Sequence, residues 1–134
     1  MLTDAQGVPL VMQIAPANQH DGSTLLPLVI EMPAVPGKVG RPKQKPEAVV
    51  ADKAYDDESL RTLLRWLGIE PIIPKRGSDE CGLGKWRWFI ERTLSWFHQF
   101  RRLRIRWERK PDIHQAFLSL AAGVICYRIW INTT

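Results

Sequence analysis

Asp52 and Glu91 are the residues of this chain whose types and placement point to chemistry. Asp52 closes the run Ala48-Val49-Val50-Ala51, which reads as a buried strand of a parallel or mixed sheet with an acid at its C-terminal end. Active residues of α/β sheets gather at such ends. Glu91 follows 39 positions later, inside an aromatic segment, and no other acid lies between Glu80 and Glu108. Two carboxylates brought together from a strand end and a helix suit a hard divalent cation such as Mg²⁺. Two such ions about 4 Å apart activate an attacking oxygen and stabilise a leaving one in phosphodiester chemistry. That site usually takes a third carboxylate. Plainer readings stand beside this one. Residues 52–56 also fit an ordinary strand-to-helix turn, and Arg87 and Glu91 fit an i, i+4 pair on a surface helix.

The elements that must position these groups follow from periodicity. Across residues 84–107, at about 100° per residue, Trp86, Phe89, Trp96, Phe97, Phe100, Leu103 and Trp107 fall on one side. Gly84, Arg87, Glu91, Ser95, His98 and Arg102 line the other, so one helix is predicted with a buried aromatic face and a polar stripe. Upstream, residues 1–3 and 8–15 read as strands joined by the hairpin turn Asp4-Ala5-Gln6-Gly7. A chain that opens inside a hairpin suggests a missing beginning. Residues 17–23 are a polar loop, with Asp21 or Ser23 capping a helix over 24–31 that Pro33 and Pro36 end. Residues 37–46 carry four basic residues, two Gly and two Pro, and read either as a solvated linker or as an arm that touches phosphates, Lys43 among them. Asp56 or Asp57 caps a helix to about Leu67 with Gly68 as its stop, and residues 71–74 form a short strand. Residues 113–130 read as a last helix, apolar on most sides and part of the core.

At 134 residues the chain is one modest domain or part of a larger one, and its 45% apolar content is too high for disorder. The net charge of +5 leans toward a polyanion, most simply nucleic acid. Arg101, Arg102, Arg104, Arg106, Arg109 and Lys110 crowd the end of the aromatic segment, where a solvated basic face or a phosphate contact is expected. Cys81 and Cys126 form no CxxC pair and no zinc-like cluster with His20, His98 or His114, which fits a reducing cytosol. The first seven residues show no signal peptide, and the apolar run over 116–131, broken by Ser119 and Arg128, reads as too short to span a bilayer.

Four segments carry a resemblance. They are residues 4–10 (DAQGVPL), 17–21 (ANQHD), 51–56 (ADKAYD), and Gly82-Leu83-Gly84 with residues 86–93 (WRWFIERT) running into Phe100-Arg101-Arg102-Leu103. In this order they resemble the C-terminal part of DDE transposases of bacterial insertion sequences, the group with a ribonuclease H-like core. The resemblance implies an α/β fold, a ribonuclease H-like mixed β-sheet flanked by helices and lacking its first strand. It implies a single catalytic domain over 1–134, incomplete at its N-terminus, from a frame-split gene or a decayed remnant.

By the same resemblance Asp52 is the second catalytic acid and Glu91 the third, both ligands of Mg²⁺ or Mn²⁺. Arg87 matches the Arg of the family's Tyr–Arg–Glu–Lys signature. Its Tyr falls at Gly84 and its Lys at His98, and both depart. The first catalytic Asp belongs on a strand upstream of the hairpin. Asp4 belongs to the turn and Asp21 to a loop. DNA contacts are expected from Lys43, Arg87, His98, Arg101, Arg102 and Arg104. The implied function is DNA transposition by metal-dependent strand cleavage and transfer, in the cytoplasm. Its partners would be transposon ends, target DNA, the upstream half of the enzyme and further copies of itself, with no membrane. The rival is a non-catalytic DNA-binding fragment that lacks the first Asp.

Overall fold

Asp4 makes the first turn. Its Oδ1 accepts from the backbone N–H groups of Gln6 and Val8, both at 2.8 Å, and Gly7 takes φ +84°, where a side chain would be strained. The turn joins β1 (Leu2–Thr3) to β2 (Pro9–Val11) in an antiparallel pair, Leu2 opposite Val11. These strands come from a computed structural model that describes residues 1–16, 22–36, 39–77 and 84–133, apart from the Lys85 side chain. The chain divides into two compact units, Met1–Ile14 with Trp86–Thr134, and Ala15–Lys85.

In the first unit the second strand stops earlier than its sequence predicts. Past Val11 the backbone bonds to a side-chain amide instead of a strand. Gln115 donates to Met12 O at 2.5 Å and accepts from Ile14 N at 3.0 Å. The predicted aromatic helix is two helices, α3 (Gly84–His98) and α4 (Arg101–Arg104). The last turn of α3 tightens to three-residue bonds, Gln99 N to Trp96 O and Phe100 N to Phe97 O, and Phe100 is extended at φ −83°, ψ 114°. The break keeps the apolar face. Phe97, Ala121 and Ile125 form the buried cluster, with Trp96, Phe100 and Leu103 packed against it. Trp107 leaves that face and is 63% exposed.

The last helix, α5, runs Pro111–Thr133, with Pro111 in its first turn. It is not the core helix that its composition predicts. Only Ala121 and Ile125 are buried, while Leu120, Tyr127, Trp130 and Ile131 are exposed. The predicted length is also corrected. With 23 residues α5 is long and apolar enough to cross a membrane by length and composition alone, a test that core helices of soluble proteins also pass.

The second unit is built on a parallel pair, β3 (Ala48–Val50) and β4 (Glu70–Ile72), with Val49 opposite Pro71. Between them Asp52 starts a 3-10 turn, Lys53–Tyr55, and Asp57 caps α2 (Glu58–Trp66) by accepting from Ser59 N at 2.7 Å. Gly68 stops α2 at φ +74°. Its N–H reaches Arg65 O, and Ile69 N reaches Leu64 O, so the last carbonyls are satisfied. Leu60 and Leu64 face the core with Leu25, Val29, Val49, Ile69 and Ile73. Helix α1 spans Gly22–Ile30, so Ser23 lies inside it and does not cap it. Asp21, His20 and Cys81 lie outside the described residues, as do Gly37 and Lys38 of the basic segment. The mixture of helices and strands is the α/β content expected, distributed among the described residues as two two-stranded sheets.

Candidate functional site

Glu91 stands on the polar stripe of α3. Gly84, Arg87, Glu91, Ser95 and His98 are all exposed, as the spacing predicts. Arg87 Nε donates to Glu91 Oε1 at 2.8 Å, between side chains 76% and 59% exposed. A pair this open contributes only about 0.3–0.5 kcal/mol, so either partner exchanges readily for another ligand. The other Glu91 oxygen has no protein partner among the described residues.

The helix that presents Glu91 is fixed from its opposite face. Thr93 is fully buried, and its hydroxyl lies 2.5 Å from Gly7 O and 2.9 Å from Phe89 O. Arg92 donates to Gln6 O, and its guanidinium lies over the rings of Trp88, Trp96 and Phe89 at 4.4, 4.9 and 5.3 Å. A Cβ at Gly7 would meet Thr93 Oγ1 at 2.9 Å, so a glycine is required there by contact as well as by φ. Thr93 and Arg92 are not among the candidates that the sequence offers. Thr93 sits at the centre of the aromatic face, and a small polar residue there is the available signal.

Asp52 lies in the second unit, one residue past Ala51, whose N–H still bonds Ile72 O. It is exposed. Its Oδ1 accepts from Lys53 N at 2.6 Å, and its other oxygen has no partner among the described residues. Its neighbour Asp56 is a structural acid. Arg61, nearly buried, donates to Asp56 Oδ1 at 2.6 and 3.1 Å and to Ile73 O at 2.7 Å. Arg76 N donates to Asp56 Oδ2 at 2.7 Å. The hydrogen bond from Arg61, with that from Arg76, holds this carboxyl below the usual carboxylate range.

Asp52 and Glu91 both offer carboxylate oxygens, the donors a hard cation takes. Among the described residues no three metal-ligating side chains come together. Cys126 does not compete for such a role. Burial, with the charge of Asp4, pushes its thiol up, and its Sγ lies 3.6 Å from Pro9 O.

The expected DNA contacts divide. Lys43 pairs with Glu47, and its backbone N–H and C=O bond those of Val35 in a two-way bridge. Lys45 spends its charge on Leu67 O, at 2.6 Å, behind α2. At the end of α3 and in α4, by contrast, His98, Arg101, Arg102 and Arg104 are exposed. Arg102 is steadied by Glu108 at 2.6 Å and lies 5.0 Å from the Phe117 ring.

Comparison with known proteins agrees with the segments quoted above. The family described as the transposase DDE domain matches residues 1–81, a span that includes Asp52. A Burkholderia cepacia protein, named by assignment as a transposase for insertion sequence element IS402, is 50% identical over 128 residues. That alignment covers 95% of this chain and 61% of the relative. No solved structure matches the chain. On these matches the chain belongs to the DDE transposases of insertion sequences.

Proposed function

We propose that this chain supplies two carboxylates, Asp52 and Glu91, to the metal centre of a DNA-cleaving and strand-joining transposase. The observation that carries the reading is the setting of Asp52. It is exposed, just past the C-terminal end of a strand in parallel pairing, where α/β active sites lie, and its fixed bond is to its own turn. Glu91 brings a second exposed carboxylate, and both units belong to one ribonuclease H-like catalytic domain. Mg²⁺ or Mn²⁺, when bound, would polarise a phosphodiester for attack. Arg87 releases Glu91 and takes a phosphate oxygen near the scissile bond. Arg101, Arg102 and Arg104, with His98, hold the flanking backbone of a transposon end or target, and Lys43 contributes from its loop. The protein works in the cytoplasm, where its DNA is, and as more than one copy.

A second reading is a non-catalytic DNA-binding fragment, which the exposed basic residues of α4 support equally. One experiment separates the two. A labelled insertion-sequence end is incubated with residues 1–134 alone, and with the chain fused to the part of its Burkholderia relative that lies outside the alignment. The fusion cuts only with Mg²⁺, and Asp52→Ala or Glu91→Ala abolishes cutting while DNA binding persists. Cutting that survives both substitutions would refute the assignment.

A further inference from the structure

Beyond the turn that ends α4, Trp107 is left in the open beside two arginines. Arg101, Arg102 and Trp107 line a cavity of about 350 Å³, within the range of ligand sites. Trp107 is 63% exposed, and among the described residues no guanidinium lies over its ring and no other aromatic ring stacks on it. Arg101 makes no hydrogen bond or ion pair among the described residues. Arg102 is 60% exposed but held in place by Glu108 and by the Phe117 ring, so its remaining N–H groups point from a fixed base. The apolar floor continues beside it. Phe100, Leu103, Phe117, Leu120, Ala121 and Val124, with both arginines, line an adjoining groove of about 270 Å³.

An aromatic face with two cations beside it has the donor set for a nucleotide. The base stacks on the ring and the phosphate takes the guanidinium N–H groups. A paired base cannot use the ring, because both its faces are stacked inside the duplex. We infer that Trp107, Arg101 and Arg102 form a pocket for one unpaired nucleotide of a DNA strand, at a nick, an overhang or an extruded position. The inference rests on the reading of α4 as a DNA-binding element and specifies what that element reads.

The test compares a blunt duplex with the same duplex carrying a one-nucleotide 2-aminopurine overhang, by titration of the 134-residue chain. The overhang duplex binds more tightly, and its 2-aminopurine fluorescence is quenched on binding. Trp107→Ala weakens overhang binding about tenfold, within the span measured for base–aromatic stacking, and removes the quench. Blunt-duplex affinity stays as it was. Trp107→Phe, which keeps a ring, retains most of both signals. Equal affinity for the two duplexes, or a quench that survives Trp107→Ala, overturns the inference while leaving duplex binding intact. Failure to bind either DNA overturns the DNA-binding reading with it. Deoxyadenosine monophosphate competing as well as the overhang duplex would make this a pocket for free nucleotides and overturn it too.

Discussion

Gly7 and Thr93 lie 86 positions apart and form one contact. The turn carbonyl and the helix hydroxyl are both buried; the hydroxyl also has Phe89 O within reach, but the carbonyl takes its side-chain hydrogen bond from Thr93. Thr93→Val keeps the shape and removes the donor. It should lower stability by about 1–3 kcal/mol in denaturant unfolding, the usual cost of a buried group left unpaired. Gly7→Ala should act in the same direction, since a Cβ there meets Thr93 Oγ1 at 2.9 Å. The two residues are not legible as a pair. The sequence displays the turn through Asp4 and Gly7 and the helix through its aromatic period, but a long-range hydrogen bond leaves no periodic trace. Asp56 adds a pH dependence. Its carboxyl is held low by Arg61, then by Arg76, so the stability it contributes is full above its unfolded value and is lost as pH falls through the folded one. Melting temperatures of the parent and Asp56→Asn should therefore differ at neutral pH and converge below about pH 4.

At the scale of elements, ends with local chemistry are readable and breaks that preserve a face are not. Asp57 before α2 and Gly68 after it act as their types predict, and Asp57→Ala should cost about 1 kcal/mol in the same unfolding assay. The segment over 84–107 reads as one helix because Phe100 and Leu103 reach the same cluster from α4 as they would from a longer α3. Its polar stripe is readable for the same reason that the break is not, since burial follows the face and not the backbone bonds. Helix α5 misleads in the other direction. Its apolar composition predicts a core element, yet Leu120, Trp130 and Ile131 stand open. Composition records what a helix is able to bury, and not which neighbour covers it. Arg101, Arg102 and Arg104 extend from the short α4 and are exposed, as the proposed phosphate contacts require. Changing all three to Ala should reduce the slope of log affinity for duplex DNA against log salt by about 2–3, close to 0.9 for each phosphate no longer neutralised. An unchanged slope would mean that these side chains meet no phosphate.

For the whole molecule, family membership is readable from four short segments in order, and the α/β content from strand and helix patterns along the chain. The proposed sharing of one metal centre by Asp52 and Glu91 belongs to a different order of information. One acid lies just past a strand in one unit, the other rides a helix in the other, and each is exposed with one oxygen open among the described residues. The chain spans 61% of the length of its Burkholderia relative. Whether the two carboxylates share one metal centre is read most directly from a crystal structure of the chain joined to the part of that relative outside the alignment, grown with Mn²⁺. Anomalous density for Mn²⁺ is expected between Asp52 and Glu91, with the carboxylates within about 8 Å of each other, close enough to share a metal pair. Carboxylates much farther apart, with the metal bound elsewhere, would contradict the shared centre.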